Sequence, residues 1–95
     1  MIKHLKTAKQ IERHIKGVAN HRRIEILFLV ADRQNITLDQ IAEKLNCNIK
    51  TISEHTRRLV QAGLVNKKYL GNSVLHSLTP YGKTFRNFIK AFSYS

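Results

Sequence analysis

A single cysteine, Cys47, stands among the 95 residues, so no internal disulfide framework can form, and a reducing, cytoplasmic setting fits. Carboxylates are scarce: six Asp and Glu face 17 Lys and Arg, and the last of the six is Glu54. Long apolar runs are missing. The longest, Ile26 to Ala31, falls far short of the roughly 20 residues that cross a bilayer, so no membrane partner is expected. The opening Met1-Ile2-Lys3-His4 leads into mixed charged sequence and offers no apolar stretch of the signal-peptide type. Glycine numbers four, without a phosphate-cradling loop. There is no Ser-His-Asp order with elbow glycines, and no pair of carboxylates in apolar surroundings. These absences speak against an enzyme. Low-complexity tracts, repeats and linkers are also missing, so residues 1–95 read as one domain.

What the chain has in excess is positive charge, a formal +11. Such an excess repels itself, and a polyanionic partner is its usual reason. Beyond Glu54 come Arg57, Arg58, Lys67, Lys68, Lys83, Arg86 and Lys90 with no carboxylate between them. Hydrophobic residues make up 42% of the chain, enough for one folded core.

Apolar periodicity predicts five helices and one hairpin. Leu5, Ala8, Ile11, Ile15 and Val18 fall on one stripe of a first helix over 5–18. A second, from about Asn20 or His21 to Arg33, is apolar nearly all round and therefore central. Thr37, with Gln40 three residues on, caps a third helix through Leu38, Ile41, Ala42 and Leu45. Asn46-Cys47-Asn48 breaks it, Asn48 caps a fourth helix over 49–62, and Gly63 ends that one. Leu64 to Leu70 and Ser73 to Leu78 read as two strands about a Gly71-Asn72 turn. Thr79-Pro80 then opens a last helix carrying Tyr81, Phe85, Phe88, Ile89 and Phe92 on one stripe. The fold class expected is mainly α with a small β-hairpin: a winged helix-turn-helix of five helices and a two-stranded wing.

The third and fourth helices with their short turn form a helix-turn-helix, whose second helix fits the major groove of B-DNA. Its outward N-terminal residues are Ile49, Lys50, Thr51, Ser53 and Glu54, with Arg57 and Arg58 a turn further on. Lys50 can donate to guanine, and Thr51 and Ser53 to bases or phosphates. Glu54 either accepts from a cytosine amine or holds Arg57 or Arg58, which lie at helical spacing from it. Arg57 and Arg58 suit phosphates or simply a solvated face. His55 either meets a phosphate or packs within the motif. On the hairpin, Lys67 and Lys68 with Asn72 and Ser73 at the tip suit backbone phosphates; the two lysines would equally protect an edge strand from aggregation.

The run Ile52-Ser53-Glu54-His55-Thr56-Arg57-Arg58-Leu59-Val60-Gln61-Ala62-Gly63-Leu64-Val65 resembles the recognition helix of ArsR/SmtB winged-helix repressors. The segment from His21 to Leu27 and the stretch from Gly71 through Leu78-Thr79-Pro80-Tyr81-Gly82 are similar to that family's early helix and wing. The resemblance covers about residues 20–85. Departures are Glu54 in place of a basic or neutral residue, Thr56 in place of a leucine, which would loosen packing, Cys47 in the turn, and Asn72 at the wing tip. The metal ligands of sensing members are also missing: no Cys-x-Cys lies beside the third helix, and no His, Asp, Glu or Cys lies on the last. His4, His14 and His21 make no cluster of their own. No metal or cofactor is expected, and no particular effector is indicated.

The resemblance implies a homodimer built from segments 1–19 and 80–95, with Ile11, Ile15, Tyr81, Phe85, Phe88, Ile89 and Phe92 at the interface. The same aromatic stripe could instead close the monomer's own core. The expected function is a dimeric, sequence-specific regulator of transcription on double-stranded DNA, repressing by default. The alternative is a winged-helix module for protein–protein contact.

Overall fold

The computed structural model describes residues 5–94. The chain runs α1 (Ala8–Val18), α2 (His21–Asp32), β1 (Ile36–Thr37), α3 (Leu38–Lys44), α4 (Ile49–Gln61), β2 (Val65–Leu70), β3 (Ser73–Leu78) and α5 (Pro80–Ser93). Residues 1–4 and 95, which include His4 and the ends of the expected dimerisation segments, lie outside the described residues.

Local chemistry sets most of these boundaries. α1 starts at Ala8 rather than Leu5, because the Thr7 hydroxyl accepts from Gln10 N while the Gln10 side chain accepts from Thr7 N. Leu5 is left 92% exposed. The same reciprocal cap joins Thr37 and Gln40 at the start of α3. At α4 the Asn48 side chain accepts from Lys50 N at 2.8 Å and Thr51 N at 3.4 Å. The α3–α4 turn places Asn46 at φ 48°, a left-handed conformation that asparagine tolerates. Gly63 closes α4 at φ 76°.

Ile26 and Leu27 of α2, Ile41 of α3, Ile52 and Leu59 of α4, and Leu64 are fully buried. Burial of each such side chain contributes about 1.5–3 kcal/mol. Thr56 does not loosen α4: it is 1% exposed and its hydroxyl donates to Ser53 O at 2.9 Å.

The wing is the expected two-stranded hairpin of β2 and β3, and the short β1 adds a third antiparallel strand to its sheet, in the order β1-β3-β2. Ile36 pairs with His76 and Thr37 with Leu75, while Val65 to Leu70 pair with Leu78 back to Ser73. A two-residue strand carries no readable alternation, and Thr37 serves both as its last residue and as the cap of α3.

The two outer helices close on the others at glycines. A Cβ at Gly17 would lie 2.1 Å from Ala62 Cβ, so α1 rests directly on the end of α4. Phe85 and Ile89 of α5 pack against the core. Both are half-buried within the chain, which leaves part of each side chain in solvent. Ile11, Ile15, Tyr81, Phe88 and Phe92 remain exposed.

Candidate nucleic-acid interface

α4 divides into two faces. Ile52, Thr56 and Leu59 point into the core, while Lys50, Thr51, Glu54, Arg57 and Arg58 stand in solvent. Ser53 and His55 are half-buried at the margin. Glu54 holds both arginines: Arg57 donates through Nε at 3.1 Å and Nη2 at 2.5 Å, and Arg58 Nε donates at 3.2 Å. Those hydrogen bonds, Arg57 first, keep the Glu54 carboxyl below its ordinary range and therefore charged. Of the two roles open to Glu54, the free chain adopts the one that aims the arginines. Burial, with the Arg23 guanidinium second, pushes His55 below the ordinary histidine value, so at neutral pH it offers a neutral ring.

The wing carries Lys68, Asn72 and Ser73 exposed and Lys67 half-buried, and Gly71 makes its turn at φ 60°. Tyr69 and Leu70 beside that turn are 73% and 63% exposed, which strand alternation did not reveal, since both faces of the hairpin tip are bare. A further basic feature lay in the sequence unread. Lys6 just before α1, and Lys9, Arg13 and Lys16 on it, recur at three- and four-residue spacing, opposite the more visible apolar stripe.

His76 also escaped the sequence reading. It lies at the centre of β3 between β1 and β2 and is 1% exposed. Its Nδ1–H donates to Ile36 O at 2.9 Å, which leaves Nε2 as the unprotonated nitrogen, buried and without a partner among the described residues. Burial holds its pKa below the ordinary value; the bond to Ile36 opposes that shift and Lys67 adds to it. In the folded chain the ring stays neutral, while in the unfolded chain it takes a proton below about pH 6.5. Stability is therefore full above about pH 6.5 and falls as the pH drops through it. Thermal midpoints measured from pH 7.5 to 5.0 are expected to fall more steeply for the native chain than for a His76→Gln variant. Parallel profiles would remove His76 from the account.

Among the described residues no group of His, Cys, Asp and Glu could hold a metal ion, and no helix is long and apolar enough to cross a membrane.

The model of the MarR family matches residues 19–70, from the start of α2 to the end of β2, more than half of the chain. The chain belongs to the MarR family. It is a winged-helix domain of the transcription-regulator type, and at this level the matching family is MarR rather than ArsR/SmtB. The HTH-type transcriptional regulator YhjH of Bacillus subtilis is 30% identical over 83 residues, which cover 84% of this chain and 47% of YhjH. The transcriptional activator HlyU of Vibrio cholerae is 28% identical over 65 residues, 68% of this chain and 59% of HlyU. The chain thus spans about half the length of the curated relatives it matches. In three dimensions, HlyU from Vibrio cholerae superposes with a TM-score of 0.83 at 22% identity, over 94% of this chain and 97% of that one. The homodimeric winged helix-turn-helix DNA-binding domain of Mb0332 from Mycobacterium bovis, a possible ArsR-family regulator, superposes at 0.81 with 24% identity, over 90% and 79%. At such identities the likeness is one of fold.

Proposed function

We propose that the chain is a sequence-specific, double-stranded DNA-binding regulator of transcription that works in the cytoplasm as a homodimer. The observation that carries this reading is the bare basic face of α4, with Lys50, Thr51, Arg57 and Arg58 in solvent beside a wing that has no acidic residue. Lys50, Thr51 and Ser53 reach base edges or nearby phosphates. Arg57 and Arg58, aimed by Glu54, and Lys67, Lys68, Asn72 and Ser73 on the wing take the backbone. His55, neutral and half-buried, supports the helix from its margin. Family membership supports a regulator rather than a catalyst. The motif around Ser53, His55 and Ala62-Gly63-Leu64-Val65, together with the fold shared with Mb0332, favours an ArsR-like reading head within that membership.

Residues 1–95 act as one DNA-binding domain, with segments 1–19 and 80–95, which carry α1 and α5, as the dimerisation helices. Ile11, Ile15, Tyr81, Phe88 and Phe92 form the contact, with Phe85 and Ile89 backing it from the core. Two-fold symmetry places the paired α4 helices about one DNA turn apart, roughly 34 Å, and calls for a palindromic operator. Binding over a promoter excludes polymerase, and repression is the default outcome.

Selection of bound duplexes from random and genomic DNA, followed by salt titration, tests this reading. An enriched palindrome with a steep salt slope is expected. Lys67→Ala weakens all duplexes alike and lowers the salt slope by about 1, whereas Lys50→Ala costs about 1–3 kcal/mol on the selected site and relaxes its sequence preference. Equal loss of preference in both variants contradicts the assigned roles. Absence of duplex binding even at low salt favours the protein-contact alternative, for which exposed Tyr69 and Leu70 on the wing provide a surface.

A further inference from the structure

Helix α1 has three edges. His14, Gly17 and Val18 are buried against the rest of the chain, and Ile11 and Ile15 stand exposed on a second side. The third edge is cationic. Lys9, Arg13 and Lys16, in line with Lys6 just ahead of the helix, fall within about a quarter of a turn. Glu12, the one carboxylate of α1, pairs with Lys16 at 3.3 Å, so the weight falls on the other three. Lys9 is exposed and enters no ion pair among the described residues. Lys6 lies over the Tyr81 ring at 4.1 Å, a contact that brings no counter-charge. Arg13 donates Nη2 to Gln61 O at 3.0 Å, and that acceptor is a neutral carbonyl. Three positive charges thus lie on one short edge without an opposite charge. Such clustering repels itself and suits a polyanion.

The bond from Arg13 to Gln61 also fixes where this edge lies. Gln61 is the last residue of α4 and is exposed. Lys50, Glu54, Arg57 and Gln61 follow one another along the outward face of that helix, so the cationic edge begins where the outward face ends. A straight helix of this length is about 20 Å long, and the major groove, about 12 Å wide, curves away beneath it. When the first turns of α4 are seated on base edges, its last turn stands over the sugar-phosphate backbone. The apolar side of α1, with Ile11 and Ile15, is separate from the cationic edge, so a partner protomer can cover the one and leave the other free.

We propose that the cationic edge at α1, formed by Lys6, Lys9 and Arg13, clamps the DNA backbone between the two half-sites of the operator. This rests on the function proposed above and deepens it, since α1 lies towards the two-fold axis only in that dimer. The contact is to phosphates alone. It adds affinity and favours one half-site spacing without reading bases.

The test uses the full chain and the selected palindrome in two forms, one with its spacer phosphates intact and one with them replaced by uncharged methylphosphonates. The native chain should bind the neutralised spacer at least about tenfold more weakly, whereas the same number of methylphosphonates placed outside the half-sites should change little. A variant carrying Lys6→Gln and Lys9→Gln should be equally weak on the intact palindrome. It should lose less than about twofold more on the neutralised spacer, because the interaction is already gone. Its salt slope should fall by about 3–4, since two lysines leave each protomer, while its sequence preference stays native. Arg13 is left in place because its bond holds α1 to α4. Should the paired substitution alter folding or sedimenting mass, Lys9→Gln alone gives the same reading with about half the change in slope. Losses from substitution and from spacer neutralisation that simply add, or a native salt slope in the variants, overturn the proposal. Those results leave the regulator reading standing, whereas a native chain that binds no duplex at all brings down both.

Discussion

Replacing Gly82 with alanine is expected to cost about 3 kcal/mol of folding stability and to lower the thermal midpoint by about 12–24 °C. The obstacle is backbone. A Cβ at this position would sit 2.0 Å from Leu64 O and 3.0 Å from Leu64 C, with Leu78 Cβ at 3.4 Å behind it. A carbonyl locked between α4 and the wing cannot turn aside as a side-chain end can. The same locality is fixed three further times. Thr79 N donates to Leu64 O at 3.1 Å, the Thr79 hydroxyl donates to Gly63 O at 2.6 Å, and that hydroxyl accepts from Gly82 N at 2.9 Å. Alanine in a helix gains about 0.5–1 kcal/mol over glycine, which is too little to offset overpacking of this kind. Relief would require α5 to lift, taking Phe85 and Ile89 off the core. Gly71→Ala provides the contrast: nothing lies within 4 Å of its Cβ, so only the left-handed backbone is penalised, at about 1–2 kcal/mol. Thermal unfolding of both variants by circular dichroism decides the matter. A Gly82→Ala midpoint within about 4 °C of the native one, less than 1 kcal/mol, would refute the clash.

The second large effect concerns assembly. Phe88 and Phe92 stack at 6.2 Å yet are 65% and 76% exposed. An apolar surface of this size usually meets a partner. Phe88→Asp with Phe92→Asp should leave a folded monomer, since neither ring enters the core, and sedimentation should show half the native mass. Losing the linked second half-site should weaken binding to the selected palindrome by about 100-fold or more while leaving half-site binding nearly unchanged. An unaltered mass would move the dimer contact elsewhere. An altered mass with unaltered palindrome affinity would separate dimerisation from DNA binding.

The central helices were legible because two independent signals agreed on each: apolar spacing gave the body, and Asn20, Thr37 and Asn48 gave the starts. At α1 the signals competed. Leu5 fits the apolar stripe, but the Thr7–Gln10 cap decides the boundary. β1 was hidden because pairing with β3 creates it, with no pattern of its own. In the candidate interface, the Glu54 partners followed from helical spacing. His76 did not, because its burial comes from β1 covering β3. The aromatic stripe of α5 was plain in the sequence, but its division between core-facing Phe85 and Ile89 and solvent-facing Phe88 and Phe92 depends on where the helix docks.

The short strand β1 has a mechanical consequence. Thr37 finishes β1 and begins α3, and β1 is bonded to the same central strand as the wing. The helical reader and the hairpin are therefore welded into one solid piece, without a hinge between them. Under the function proposed above, in which both pieces meet the duplex, the span between them acts as a fixed calliper. Tolerance for over- or underwound DNA then falls to the proposed joint between protomers at the outer helices.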